Sequence, residues 1–418
     1  MIKKMVTSVI LGGAVLGMVA SANAETINVN IYGASAQYTY WTNAAAAFLT
    51  DQGCATTVQV AKDGSDKHGI AYCSDLNGDE VYLRYSSKAS YDGIRSVQGL
   101  DPDNVSSCPS DGEREMANEL DTTWGTQASP GTVNSLTCKD VTVGASDVAA
   151  ETFKQSSNGA LLGPAGGDYE TRNISGLTMD PTYQVDRPVV VPFAFFRNAN
   201  STINTVPFDN MSRLMATSLF NGQVTDWQQF DPSVPSVPVI ICMRHAGSGT
   251  HATLDAGVMR GDYSLMDTEA LPGSFPVFMN LQPVTYFNDG SSDEMRCVGG
   301  GSIDNYDGIG AVGYADSDKV VMDPSTGEYH ASKYGDVKLM TYMGEEAIKR
   351  NIVNGKYDFW SAQWLYSNET GATKALIDAL VVFASDPSNL PGSKADYWAS
   401  QTEMNVEKSS DYTWPKFK

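Results

Sequence analysis

The feature that most constrains the fold is a strand, a short turn and a helix in direct succession, at residues 237–259. Residues 237–242 are apolar and β-branched, which is typical of a buried strand. Residues 252–259 place Leu254 and Val258 four positions apart, which indicates a helix. Such a turn exposes backbone N–H groups at the positive end of the helix, where an oxyanion binds well. An ordinary helix start with Ser and Thr caps is the alternative interpretation.

The turn between this strand and helix, residues 243–251, carries side chains that suit an anion. Arg244 can donate to two oxygens at once, and Ser248 and Thr250 add hydroxyl donors. Gly249 lies between these two hydroxyls and lets the backbone approach a ligand closely. The local sequence therefore predicts a candidate anion site.

Similar turns follow other predicted strands. The predicted strands are residues 26–32, 81–85 and 141–144. A small-residue turn follows the first at 33–36, and turns with polar residues follow the others at 86–94 and 145–147. The alternation of such strands with helices, for example at 40–49, predicts α/β lobes with mostly parallel sheets. In such lobes ligands bind at the carboxyl ends of the strands, where these turns gather.

The first 24 residues predict a secretory signal peptide. Lys3 and Lys4 precede an apolar run at 6–20, and Ala22-Asn23-Ala24 has the small-x-small pattern of a cleavage site. The apolar run is too short for a good membrane anchor. We therefore expect a soluble protein that begins at Glu25 and is periplasmic or secreted.

The composition excludes some partners. The formal net charge is −21, which argues against nucleic acid and anionic membranes. It does not argue against a small anion, because nearby dipoles and a single Arg dominate at contact distance. The chain contains no C-x-x-C motif, and we expect no cofactor and no bound metal.

The six cysteines predict disulfides, because an exported protein meets an oxidising environment. They are Cys54, Cys73, Cys108, Cys138, Cys242 and Cys297. Six cysteines allow about fifteen pairings, and the sequence cannot choose between them. Pairing of nearest neighbours is our hypothesis.

Two other kinds of site remain alternatives. The D-x-N-x-D spacing at 75–79 can chelate calcium, but a hairpin turn through Asn77-Gly78 explains it better. The acidic loop at 304–307 is a second calcium candidate without a ligand framework. Ser248 beside His245 or His251 suggests a hydrolase, yet the sequence around it is not G-x-S-x-G. We therefore expect no enzyme activity.

The order of these pieces resembles the periplasmic phosphate-binding proteins of ABC transporters. The family's G-A-[ST] turn is Gly33-Ala34-Ser35 here, and its G-A-S-D element is Gly144-Ala145-Ser146-Asp147. Its R-S-D-G-S-G-T turn corresponds to residues 244–250, and its G-S-G-x-G-I turn is loosened to residues 89–94. The resemblance touches most of the chain from 27 to 360.

The resemblance implies a two-lobe α/β periplasmic-binding-protein fold with a ligand cleft between the lobes. Lobe 1 would comprise residues 25–187 and 318–418, with loop insertions near 99–138 and 155–185, and lobe 2 residues 188–317. The implied ligand is hydrogen phosphate, and the implied partner is the membrane subunit of an ABC transporter; we expect a monomer. The implied ligand contacts are Ser35, Ala36, Ser90, Asp147, Arg244, Ser248, Gly249 and Thr250.

Asp147 fits an anion site only if the ligand carries a proton to donate. Hydrogen phosphate carries one at neutral pH and sulfate does not, so an unpaired acceptor would reject sulfate by roughly 10⁴-fold. The chain departs from the family at Ala246, where a second acid normally orients the Arg, and at Lys88 and Tyr91, which replace glycines. A secreted binding or adhesive protein with another oxyanion, or without a transport role, is therefore the alternative function.

Overall fold

The computed structural model describes residues 24–100, 107–153, 157–161, 170–174, 176–199, 206–245, 247–260, 283–301, 306–319, 321–322, 329–330, 334–392 and 394–418. Residues 1–23 of the predicted signal peptide lie outside these ranges, as do Ala246 and the calcium candidates Asp304 and Asn305. Among the described residues, no helix has the length and apolar character needed to cross a membrane.

Two large sheets organise the described part of the chain. The first sheet contains, in spatial order, Gln184–Asp186, Trp364–Ser367, Val143–Ser146, Thr26–Gly33, Asp79–Ser87, His68–Leu76, Gln59–Lys62, Gly131–Val133 and Thr122–Thr123. The second contains Val284–Asn288, Ile240–Arg244, Ala311–Asp316, Val189–Asn198, Val337–Leu339, Tyr329–His330 and Val321–Met322, and Trp360–Ala362 and Ala399–Ser400 also pair with Val189–Asn198. The predicted α/β fold with two lobes is confirmed. The exact lobe boundaries stay a prediction. Several strands that the prediction assigns to lobe 1 pair within the second sheet: Val321–Met322, Tyr329–His330, Val337–Leu339, Trp360–Ala362 and Ala399–Ser400.

Smaller strand pairs and the helices complete the described elements. The pairs are Ser157–Leu161 with Glu170–Ile174, Glu113–Ala117 with Leu136–Asp140, Asn210–Met211 with Thr341–Tyr342, and Val406–Glu407 with Lys416–Phe417. The α-helices are α1 (Tyr38–Asp51), α2 (Ser90–Val97), α3 (Arg213–Phe220), α4 (Gly249–Thr253), α5 (Ser291–Gly299), α6 (Lys349–Val353) and α7 (Gly371–Ser385). A 3₁₀ turn at Ser35–Gln37 leads into α1, and a π-helix at Leu254–Met259 continues α4.

Among the described strands, parallel pairs are the minority in both large sheets. Thr26–Gly33 runs parallel to Asp79–Ser87 and Val143–Ser146, and Ile240–Arg244 runs parallel to Val284–Asn288 and Ala311–Asp316. Gln59–Lys62 also runs parallel to Gly131–Val133. The prediction of mostly parallel sheets is therefore wrong. Several neighbours in each sheet are joined by short hairpins, which can only give antiparallel pairs.

One such hairpin joins His68–Leu76 to Asp79–Ser87. Asn77 and Gly78 form its turn with φ angles of 57° and 97°, a left-handed conformation that Asn and Gly tolerate best. The side chain of Asp75 accepts the N–H of Gly78 at 2.9 Å. The hairpin interpretation of residues 75–79 is confirmed.

The predicted loop insertion near 99–138 contains strands within its described part. Its strand Glu113–Ala117 buries Arg114, whose guanidinium donates to both carboxylate oxygens of Asp92 at 3.0 and 3.2 Å. The segment is therefore not all loop, and the pairing with Asp92 offsets the cost of burying the charge of Arg114.

Nearest-neighbour disulfide pairing is confirmed. The bridges join Cys54 to Cys73, Cys108 to Cys138 and Cys242 to Cys297, with Cα–Cα distances of 6.0, 5.6 and 6.0 Å. The third bridge connects the strand Ile240–Arg244 to α5. It therefore fixes two elements that both lead into the candidate site.

Candidate functional site

Four helical segments begin where parallel strands end. Ser35, Ser90 and Ser291 are the first residues of the 3₁₀ turn before α1, of α2 and of α5, and Ser248 is the N-cap of α4. The first turn of a helix leaves backbone N–H groups without intrahelical acceptors and carries partial positive charge. The starts of α4 and α5 come from the second sheet and the other two from the first, so the site draws on both lobes.

Arg244 ends the strand Ile240–Arg244 and is 1% exposed. Its Nη1 donates to Oγ of Ser291 at 3.0 Å and lies 3.5 Å from Oγ of Ser35. Its Nη2 donates to the carbonyl of Asp289 at 2.7 Å, and its Nε to the carbonyl of Asn288 at 3.3 Å. These four acceptors are neutral oxygens, so hydrogen bonds orient the guanidinium without neutralising its charge.

A second group of predicted residues surrounds Asp147. The hydroxyl of Ser90 accepts the N–H of Asp147 at 3.0 Å, and the hydroxyl of Thr250 donates to its Oδ2 at 3.5 Å. Gly249 packs against both: a Cβ there would lie 2.1 Å from Oγ of Ser90 and 2.8 Å from Cβ of Asp147. Only glycine permits this approach of α4 to α2, and with it the contact between the lobes.

Asp147 is 2% exposed, and its Oδ1 makes no hydrogen bond within the described ranges, although the side-chain amide of Gln363 lies near enough to lower the pKa of the carboxyl. Burial raises the pKa of this carboxyl to about 7, and the negative charge of Asp316 adds to the rise. The positive charge of Arg244 lowers the same pKa, so the two predicted groups lie within electrostatic range of each other. A buried acceptor without a donor is costly, which makes Oδ1 a candidate ligand contact.

The predicted ligand contacts thus fall into two groups that share the interlobe space. Ser35 lies beside Arg244, while Ser90, Gly249 and Thr250 surround Asp147. Ser248 caps α4, since its Oγ accepts the N–H of His251 at 3.3 Å, and Ala36 is buried directly after Ser35. Their role as ligand contacts stays a prediction.

Sequence reasoning missed the residues that complete this region from α5. Ser291 touches Arg244, and Glu294 is buried with its Oε1 accepting the N–H of Tyr314 at 2.9 Å. Burial raises the pKa of Glu294 well above its ordinary value, an effect that the charge of Arg244 partly offsets. The strand at 284–288 followed by a Gly-Ser-Ser turn has the same strand, turn and helix pattern as the other units, and this signal could have found Ser291.

A cavity of about 210 Å³ lies beside Ser35. It is lined by Tyr32, Ser35, Lys67, His68, Ser87, Lys88, Glu115, Asp289 and Gly290. Lys88, which departs from the family pattern, approaches Asp289 at 3.8 Å between its Nζ and Oδ2. This contact joins an element of the first sheet to one of the second beside the cavity.

The histidines near Ser248 serve the local structure. Nδ1 of His251 lies 2.5 Å from the hydroxyl of Tyr314, and Nδ1 of His245 accepts the N–H of Gly247 at 3.2 Å. Because the Ser248 hydroxyl accepts the His251 N–H, its position is explained by helix capping. Within the described ranges, no three His, Cys, Asp or Glu side chains are grouped to hold a metal ion.

Comparison with protein-family models and with curated sequences gives no match to this chain. Among solved structures, the chain is similar to a human phosphate binding apolipoprotein at 12% identity, with 88% of this chain and 89% of that chain covered and a TM-score of 0.48. It is similar to the high affinity periplasmic phosphate-binding protein PfluDING bound with phosphate at 10% identity, 88% and 89% coverage and a TM-score of 0.45. It is also similar to a phosphate binding protein from Stenotrophomonas maltophilia at 11% identity, 84% and 82% coverage and a TM-score of 0.42.

Proposed function

We propose that this chain binds hydrogen phosphate, or a similar tetrahedral oxyanion, between its two lobes. The observation that supports this most strongly is Arg244, a buried guanidinium whose acceptors among the described residues are neutral oxygens. The charge of Arg244 lowers the pKa of the buried Asp147 and Glu294, but neither carboxyl accepts a hydrogen bond from it. A ligand that brings negative oxygens into contact with the guanidinium therefore gains most at this position. Helix starts from both lobes add N–H and hydroxyl donors around the same space.

The acceptor at Asp147 favours an oxyanion that still carries a proton. Its buried Oδ1 can accept the hydrogen of HPO₄²⁻, whereas sulfate has no hydrogen at neutral pH and would meet a bare carboxylate. Hydrogen bonds to charged groups contribute roughly 1.5–3 kcal/mol each. Several of them, after ordering costs, suffice for micromolar or tighter binding, which corresponds to about −8 kcal/mol.

We further propose that the protein acts outside the cytoplasm as a binding protein without catalytic activity, delivering its ligand to the membrane subunit of an ABC transporter. The predicted signal peptide and the three disulfides support export to an oxidising compartment. Two lobes that close around the anion can bind it, and their opening can release it to the transporter, because the ion is buried only in the closed state.

Isothermal titration of the purified exported protein with phosphate, arsenate and sulfate at pH 8 tests the proposal. We expect phosphate and arsenate to bind with micromolar or lower Kd and sulfate to bind roughly 10⁴-fold more weakly. The absence of binding heat for all three anions would overturn oxyanion binding. Equal affinity for sulfate would overturn the role given to Asp147 and leave the anion site in place.

Removal of the Cys242–Cys297 bridge should affect both stability and binding. With both residues changed to Ala, we expect the free energy of unfolding to fall by about 3–4 kcal/mol, since the bridge closes a 55-residue separation. Phosphate affinity should also fall, because the bridge fixes the strand of Arg244 to α5. Urea unfolding and titration measure the two effects.

The matched control removes the Cys54–Cys73 bridge in the same way. That bridge joins residues 19 positions apart, outside the candidate contacts, so its loss should lower stability with little change in phosphate Kd. Equal weakening of phosphate binding by both double variants would contradict the special role of the Cys242–Cys297 bridge.

A further inference from the structure

Ser291 lies at the junction of the two lobes and was not among the predicted contacts. It is the first residue of the nine-residue helix α5 and is 2% exposed. Its Oγ accepts from Nη1 of Arg244 at 3.0 Å and lies 3.3 Å from Oγ of Ser35. Since Ser35 belongs to the first sheet's side of the cleft, Ser291 forms part of a contact between lobes.

Counting hydrogens around this contact leaves one donor over. Each of the two serine hydroxyls has a single hydrogen and two acceptor lone pairs. Nη1 of Arg244 uses a lone pair on each oxygen, and the bond between the two hydroxyls uses only one of their two hydrogens. The second hydrogen belongs to whichever serine accepts the bond between the two hydroxyls, and it must point away from the guanidinium, which donates and cannot accept. If Ser35 is the donor in that bond, the hydrogen left over is that of Ser291.

The surroundings indicate what this hydrogen meets. Arg244 is buried among neutral oxygens, and Oδ1 of Asp147 is buried without a hydrogen-bond partner in the described ranges. The guanidinium favours a ligand with negative oxygens, and the unpartnered carboxylate oxygen favours a ligand that carries a hydrogen to donate. The start of α5 adds the positive end of a helix to the same place.

We infer that Ser291 is a direct contact of the bound oxyanion, donating its hydroxyl hydrogen to a ligand oxygen while it orients Arg244. This inference rests on the proposed function. The disulfide between Cys242 and Cys297 holds α5 against the strand of Arg244, so the hydroxyl and the guanidinium are positioned together before the ligand arrives. With Ser291, the starts of four helical segments contribute residues to the proposed site, one more than the predicted contacts provide.

The test compares Ser291→Ala with Ser292→Ala, its neighbour in the same helical turn. The Ser292 hydroxyl lies 3.3 Å from the hydroxyl of Tyr334 and is the matched control. For Ser291→Ala we expect the phosphate Kd to rise about 10- to 100-fold, the range for losing a hydrogen bond to a charged partner. For Ser292→Ala we expect a change below twofold, and Ser291→Thr, which keeps the hydroxyl, should bind within about threefold of the parent protein.

Two further measurements separate the outcomes. Thermal unfolding checks that each variant is folded. The second measurement is the phosphate Kd of Ser291→Asp. Its carboxylate would lie beside Arg244 and repel the anion, so binding should be weaker than in Ser291→Ala. A Ser291→Ala variant with a Kd within twofold of the parent protein overturns this inference, as does Ser291→Asp with unchanged affinity. If the parent protein itself binds no oxyanion, the proposed function has failed; if Arg244→Ala loses binding while Ser291→Ala keeps it, only this inference has failed.

Discussion

Replacing Arg244 by alanine is expected to weaken phosphate binding by at least about 1,000-fold, which corresponds to roughly 4 kcal/mol. The side chain is buried, and its four hydrogen-bond acceptors are neutral. Among the predicted ligand contacts, Arg244 is the one residue with a positive charge. Because the guanidinium is buried away from solvent, its attraction to a dianion is weakly screened.

Titration calorimetry measures the phosphate Kd of Arg244→Ala and of the control variant Arg296→Ala. Arg296 lies on α5 and pairs with Asp293 at 3.0 Å, so its removal takes away an Arg near the site without touching the proposed contacts. Arg244→Lys should fall between the two, because a lysine keeps the charge but cannot reproduce the planar set of hydrogen bonds that orients the guanidinium. Retention of tight phosphate binding by Arg244→Ala would refute the assignment of the site.

Replacing Asp147 by asparagine is expected to relax discrimination against sulfate. The ionised carboxylate can only accept, whereas the amide of Asn can also donate to a fully deprotonated oxygen. The preference for phosphate should fall from roughly 10⁴-fold to within about tenfold. Titration with both anions at pH 8.5, where the wild-type carboxyl is ionised, measures the ratio, and an unchanged ratio would contradict the role of Asp147.

The same substitution should stabilise the protein without ligand. The pKa of Asp147 is about 7 in the folded protein against 3.8 in the reference state, because burial disfavours the charge. Between these values the folded state keeps a proton that the unfolded state has lost, so the free energy of unfolding falls as pH rises through this window. Above pH 7 the accumulated penalty is about 2–4 kcal/mol, and the neutral amide of the Asp147→Asn variant would not carry it.

Urea unfolding of both proteins at pH 4 and pH 8, without phosphate, measures this effect. Asp147→Asn should be the more stable protein at pH 8. The gain should be small at pH 4, because this pH is close to the reference pKa of 3.8 and little of the penalty has accumulated there. Other buried acids such as Glu294 are present in both proteins and cancel in the difference. A gain that is equal at both pH values would show that proton binding at Asp147 is not its source.

Local patterns were sufficient to predict the units that form the site. The strand at 26–32 and the helix at 40–49 are observed as Thr26–Gly33 and Tyr38–Asp51, since alternation and helix propensity act over short distances. The starts of α2 and α4 also occur where the polar turns predicted them. The short separations within each cysteine pair favoured the disulfides that are observed.

Features that depend on distant partners could not be predicted in this way. The buried pair of Arg114 with Asp92 joins the region 99–138 to α2, and nothing in the local sequence indicates that this polar region would bury an arginine. α3 begins at Arg213, and its N-cap Ser212 accepts the N–H of Met215, whereas the nearby Asp209 instead pairs with Arg197. The carbonyls of Asn288 and Asp289 orient Arg244, and no spacing in the sequence indicates a partnership 44 or 45 residues away.

A crystal structure of the exported protein grown with arsenate, phased at the arsenic edge, tests the central claim most directly. The arsenic position is independent of any assumption about which residues bind. We predict one strong anomalous peak between the guanidinium of Arg244 and Oδ1 of Asp147, with the ligand's oxygens in hydrogen-bonding reach of both. A fully occupied arsenate elsewhere, with nothing bound between these two groups, would contradict the proposed site.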